Sequence, residues 1–167
     1  MQHSAQATRL WPLSQRATTA LLLAGMAQAL SLAWPFDGAF KGDAQGWLQC
    51  VSLAVLAFHV DRSQSGKETF VKAWIFSLAW LAGSFWWLFI SMHRYGGLPA
   101  PVAGLAVGVM AAGLALFYAA AAAVYHAMCK TGVGVLPRAG AFAAVWVLAE
   151  MVRGTLWTGF PWGAVGY

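Results

Sequence analysis

Of the 167 residues, 60% are hydrophobic and only 9% are charged, whereas a soluble domain carries about 25% charged residues; the mean hydropathy is +0.64. Such a chain is an integral membrane protein rather than a soluble domain. The net charge of +5 comes from Lys and Arg in the gaps between apolar runs, with no dense basic patch, so membrane lipid is an expected partner and nucleic acid is not.

Charges divide the chain into apolar windows that can be measured against the roughly 20 residues a helix needs to cross a bilayer. After a tail, 1–16, carrying Arg9 and Arg16, the first span is expected at about 17–34. Ala27-Gln28-Ala29 imitates a signal-cleavage site, but the charge-free run from Ala17 to Phe36 is longer than a usual signal core, which favours a retained helix. A second span is expected at about 44–60, closed by Asp61-Arg62, and a third at about 73–91, where Trp74, Phe76, Trp80, Phe85, Trp86, Trp87 and Phe89 follow one another. Those rings suit packing and interface anchoring, with room for a lipid-facing groove. The fourth, about 102–127, lies in an uncharged stretch in which Gly104, Gly108 and Ala112 form an expected packing seam. The fifth, about 139–157, is the least hydrophobic, and residues 158–167 follow it. The expected fold is therefore all-α, a polytopic transmembrane bundle of about five helices.

Orientation follows from the Lys and Arg bias. Seven of the ten, namely Arg9, Arg16, Arg62, Lys67, Lys72, Lys130 and Arg138, fall on one side, leaving Lys41, Arg94 and Arg153 on the other. The richer side is expected to be cytoplasmic, which puts the N-terminus inside and the C-terminal segment outside.

Few groups invite chemistry. Cys50 and Cys129 show no CxxC or Cys/His spacing, and His3, His59, His93 and His126 are far apart in sequence, so neither a metal nor a cofactor is expected. More informative is the loop His93-Arg94-Tyr95-Gly96-Gly97-Leu98-Pro99-Ala100-Pro101, in which Gly96 and Gly97 open backbone angles and Pro99 and Pro101 close them. Glu150 and Arg153, three apart on the fifth span, share a helix face. As intramembrane charges they mark either a site, with Arg153 on a lipid phosphate and Glu150 orienting it, or a self-neutralising pair at a helix end. Thr158-Gly159-Phe160-Pro161-Trp162 comes next, and the chain ends at Tyr167.

Two of these segments together carry a resemblance. Trp86 to Pro101 and Glu150 to Tyr167 resemble the amino-terminal membrane region of bacterial apolipoprotein N-acyltransferase. That family has a tryptophan-rich helix end, a Ser, a Gly-Gly-x-Pro loop, and a later Arg-Gly followed by Thr-Gly-Phe-Pro-Trp. The matching positions are Ser91, Gly96, Gly97, Pro99, Arg153, Gly154, Thr158, Gly159, Phe160, Pro161 and Trp162; Trp34-Pro35-Phe36 also looks like the family's aromatic-Pro loop. Arg94 and Thr155 depart from the pattern.

The resemblance implies a multi-pass protein of the bacterial inner membrane with eight helices and a periplasmic nitrilase-like domain bearing a Glu-Lys-Cys triad. There a thiolate takes an acyl chain from a phospholipid and passes it to the diacylglyceryl cysteine of an apolipoprotein. No residue of this chain matches the triad, so the expectation is a fragment ending before the catalytic domain, inactive alone. Gly96, Gly97, Pro99, Glu150, Arg153, Thr158, Phe160, Pro161 and Trp162 are its candidates for the periplasmic face and substrate path. The alternative is a small non-catalytic membrane protein, a transporter subunit or scaffold.

Overall fold

The computed structural model describes residues 13–38, 41–129 and 134–156. Among them every regular element is helical and no strand occurs: α1 is Gln15–Leu32, α2 Gly46–Asp61, α3 Gly66–Ser84, α4 Trp86–Ile90 with a π-helical turn Ser91–Tyr95, α5 Ala100–Met128 and α6 Val135–Thr155. A helix closes its backbone hydrogen bonds within one segment, the condition lipid imposes on a spanning chain. By length and hydropathy α5 and α6 can each cross a bilayer, and α3 joined to Trp86–Tyr95 makes a third candidate bent by 49°. The helix α2 is apolar but has only 16 residues, and α1 opens on Gln15, Arg16, Thr18 and Thr19. Composition thus supports two or three spans outright, where the sequence reading expects five.

The third window holds a broken helix instead of a single one. Gly83 and Ser84 precede the break, Ser84 Oγ donates back to the Trp80 carbonyl at 2.9 Å, and Phe85 takes φ −97° and ψ 13°. Gly/Ser pairs and back-bonding hydroxyls are recognised causes of helix kinks. At its other end α3 begins before the apolar window, because Ser65 and Glu68 form a capping arrangement: Ser65 Oγ accepts the Glu68 N–H at 3.2 Å and Glu68 accepts the Gln64 N–H at 2.9 Å.

Lys72, counted above as a loop cation, is buried. Its ammonium lies 2.7 Å from Glu68 and donates to the His59 carbonyl at 2.7 Å and to Ser63 Oγ at 3.1 Å. The His59 carbonyl belongs to the last turn of α2, so Lys72 satisfies an orphan acceptor at the negative end of that helix. Burial opposes ionisation of Glu68; the bonds from Lys72 and the Gln64 N–H outweigh it and hold the carboxyl below its usual value.

The core is organised around α3, which packs on α1 and α5, while α2 leans on α1 and α6 on α5. Contact between α1 and α3 is close enough that a Cβ at Gly25 would collide with the Phe76 carbonyl oxygen and stand 2.8 Å from Ala79 Cβ. On α5 the buried stripe includes Ala103, Val107, Ala111, Ala115, Tyr118 and Ala122. This corrects two of the three positions of the expected seam: a Cβ at Gly104 or Gly108 would meet nothing within 4 Å, whereas the Ala112 carbonyl accepts the indole N–H of Trp74 on α3 at 3.1 Å. Small residues lie on both faces of α5, and the alanine stripe is the one that faces α3.

Gly25→Val should therefore destabilise the bundle by about 1–3 kcal/mol or more, whereas Gly104→Ala should stay within about 0.5 kcal/mol of the parent; thermal unfolding in detergent followed by tryptophan fluorescence compares them. Because the folded-state value of Glu68 is depressed, its contribution is present above the ordinary carboxylate value of 4.5 and is lost as pH falls through the lower folded value. Glu68→Gln should flatten the acid limb of the melting-temperature profile relative to the parent.

Candidate functional site

The Gly-Pro loop is a tight, hydrogen-bonded reversal between α4 and α5. The Gly96 N–H bonds the Ser91 carbonyl at 3.0 Å, the Leu98 N–H bonds the Met92 carbonyl at 3.1 Å, and His93 Nδ1 lies 2.8 Å from the Leu98 carbonyl oxygen. A Cβ at Gly96 would come within 2.8 Å of the Met92 oxygen, and Gly97 has φ +69°, where a side chain is strained. Pro99 then caps α5, its carbonyl accepting the Val102 and Ala103 N–H groups at 3.0 Å, and Pro101 sits in the first turn, where no intrahelical donor is needed. The bend before the turn leaves Trp86 62% and Tyr95 85% exposed, with Trp87 also at the surface.

Arg153 lies elsewhere. Its side chain is 1% exposed, and the guanidinium carbon is 5.8 Å from the centroid of Tyr118. Glu150 accepts the indole N–H of Trp146 at 3.2 Å, and both charges act electrostatically on the Tyr118 hydroxyl. Beneath them Trp146 packs 4.6 Å from Tyr118 and 5.9 Å from Trp80, and Trp80 lies 5.2 Å from Tyr118. Half-buried Glu150 and fully buried Arg153 and Tyr118 thus form one cluster over an aromatic floor. The chemistry such a cluster offers is hydrogen bonding and charge compensation in a largely enclosed site.

The structure does not bring the two candidate groups together. Phe142 faces Tyr125 and Trp146 faces Tyr118, so α6 runs antiparallel to α5 and its Arg153 backbone falls near Ala111. At 1.5 Å rise per residue, that is roughly 15 Å of helix short of the Gly96–Pro99 turn. Arg153 is therefore inside the bundle, not at the level of the turn. Thr158, Phe160, Pro161 and Trp162 lie outside the described residues. The partners Tyr118, Trp146 and Trp80 escape sequence reading because an aromatic in an apolar run looks like packing; Trp146 at i−4 to Glu150 was the one local signal.

The family model described as apolipoprotein N-acyltransferase N-terminal domain matches residues 24–167. The chain belongs to the apolipoprotein N-acyltransferase family. It is 52% identical over 153 residues to the apolipoprotein N-acyltransferase of Verminephrobacter eiseniae, covering 87% of this chain and 27% of that protein. With the Ralstonia nicotianae enzyme of that name it shares 40% identity over 131 residues, 77% of this chain and 25% of the other, and with that of Pseudomonas syringae pv. tomato 33% over 147 residues, 87% and 27%. The chain spans about a quarter of the length of these acyltransferase relatives.

Because Gly97 holds a positive φ, Gly97→Ala should destabilise this acyltransferase-family turn by about 1–2 kcal/mol, read as a lower melting temperature; an unchanged value would show that the turn relaxes.

Proposed function

We propose that these residues are the membrane part of an acyltransferase that transfers an acyl chain from a phospholipid of the bacterial inner membrane to the diacylglyceryl cysteine of an apolipoprotein. In this reading residues 1–16 are a cytoplasmic tail, 17–157 form a bundle of five spans and 158–167 lie on the periplasmic side. The Gly96-Gly97-x-Pro99 turn and the residues Thr158, Phe160, Pro161 and Trp162 then face the compartment where donor and acceptor meet. Catalysis belongs to a nitrilase-like domain in the part of the protein beyond this match, and the 167-residue piece is inactive alone. The observation that carries the proposal is the family match across residues 24–167. The exposed Trp86, Trp87 and Tyr95 beside a rigid turn support a lipid-facing wall at that end, since amphipathic rings settle at bilayer surfaces.

Buried Arg153 contributes by holding the end of α6 in place, which sets where the following segment leaves the membrane. In the full-length protein, Arg153→Ala should lower formation of the acyl-enzyme thioester from labelled phospholipid by about 10- to 100-fold, the scale of a displaced positioning group. Normal thioester formation by a variant that melts like the parent would reduce the Glu150–Arg153 region to a structural element.

A further inference from the structure

A polar pocket of about 340 Å³ opens at the opposite end of the bundle, where the turn between α2 and α3 meets the ends of α5 and α6; Asp61, Ser63, Gln64, Tyr125, His126 and Arg138 line it. No acyl-transfer role reaches this end. Its one carboxylate is already engaged, since Asp61 Oδ1 pairs with Arg138 Nη2 and accepts the Tyr125 hydroxyl at 3.1 Å. That pairing fixes the guanidinium while the Arg138 side chain stays 32% exposed on the pocket wall. His126 closes the neighbouring wall, its Cδ2 3.8 Å from the position a Cβ would take at Gly66. On α6, immediately before Arg138, Val135 is 86% and Leu136 83% exposed, and Met128 is also exposed at the end of α5. A forked donor beside an imidazole, rimmed by bare aliphatic side chains, has the chemistry of an amphiphile with an anionic head.

We propose that this pocket binds the phosphate of a phospholipid headgroup. The exposed part of the Arg138 guanidinium and a His126 N–H donate to its oxygens, and the acyl chains lie along Val135, Leu136 and Met128. Phosphate suits the guanidinium because charge-assisted N–H···O bonds to an oxyanion are short and strong. Asp61 orients Arg138, and Tyr125 holds Asp61 in turn. The uncapped first turn of α6 after Gly134 adds to the positive potential. The pocket lies at the face opposite the Gly96–Pro99 turn, so it would hold a lipid of the other leaflet, distinct from the acyl donor.

The test follows the ¹⁵N-labelled His126 imidazole, assigned through His126→Gln, in full-length protein purified in a maltoside detergent. Dihexanoyl phosphatidylglycerol should shift that resonance saturably, and dihexanoylglycerol, which lacks the phosphate, should not. Arg138→Gln should weaken the response about tenfold, the worth of one charge-assisted contact. A Val135→Ser/Leu136→Ser variant leaves the Asp61–Arg138–Tyr125 group intact; it should weaken the lipid response and spare any response to inorganic phosphate. An unshifted resonance, or an unchanged titration in Arg138→Gln protein that melts like the parent, would overturn the site. Inorganic phosphate saturating at the same concentration as the lipid, with the double-serine variant indifferent, would overturn the lipid and leave a free-anion site.

Discussion

The packing of Trp80 joins three helices and sets the position of everything above and below it. From α3 its indole stacks on Trp146 of α6 with an interplanar angle of 19° and lies 5.2 Å from Tyr118 of α5. In lipid no hydrophobic force drives helices together, since hydrocarbon tails are as apolar as the side chains. Shape and ring–ring contact must then supply the cohesion, and large faces in register supply much of it. The small residues complete the fit: Gly25 lets α1 close on Phe76 and Ala79, and the alanine stripe of α5 lets α3 come near.

This joint divides the bundle into a dry middle and two polar ends. In the middle, Glu150 and Arg153 sit over the rings, so their charges bear on the placement of α6. At one end, the kink after Ser84 swings Trp86 and Tyr95 outward and leads into the glycine-proline turn. At the other, Lys72 ties α3 to the last turn of α2, while Asp61, Tyr125 and Arg138 tie α2 to α5 and α6. That second end is thus cross-braced between helices by polar contacts, whereas the first is held by hydrogen bonds within its own turn, and the two present different chemistry to the bilayer surface.

Much of the fold could be read from the chain because lipid permits a spanning segment few choices, and helices form where apolar windows lie. What hydropathy windows miss is local. They pass over Ser65-Gly66-Lys67-Glu68, a capping pattern that starts α3 inside a charged stretch, and over Gly83-Ser84, two small residues whose effect is to break the same helix. They also cannot distinguish the two faces of α5, where Gly104 and Ala103 differ by one position and only one meets α3. The glycine-proline turn was legible as a rigid reversal, since its constraints are those of Gly96, Gly97 and Pro99 themselves, but the π-helical turn Ser91–Tyr95 that leads into it was not. The depth of Arg153 was not, because it depends on Tyr118, 35 positions earlier, and on the aromatic floor shared by three helices.

In the proposed arrangement the end bearing the tryptophan-rich kink and the glycine-proline turn faces the periplasm, with the Asp61–Arg138 end in the cytoplasm. Substituted-cysteine labelling tests it most directly, in full-length protein from which Cys50 and Cys129 have been replaced. With a membrane-impermeant maleimide applied to cells whose outer membrane alone is permeable, Tyr95→Cys should label, and Gln64→Cys should label only after the inner membrane is opened. Labelling of Gln64→Cys in intact cells, with Tyr95→Cys protected, would contradict the orientation and with it the proposed role of the turn.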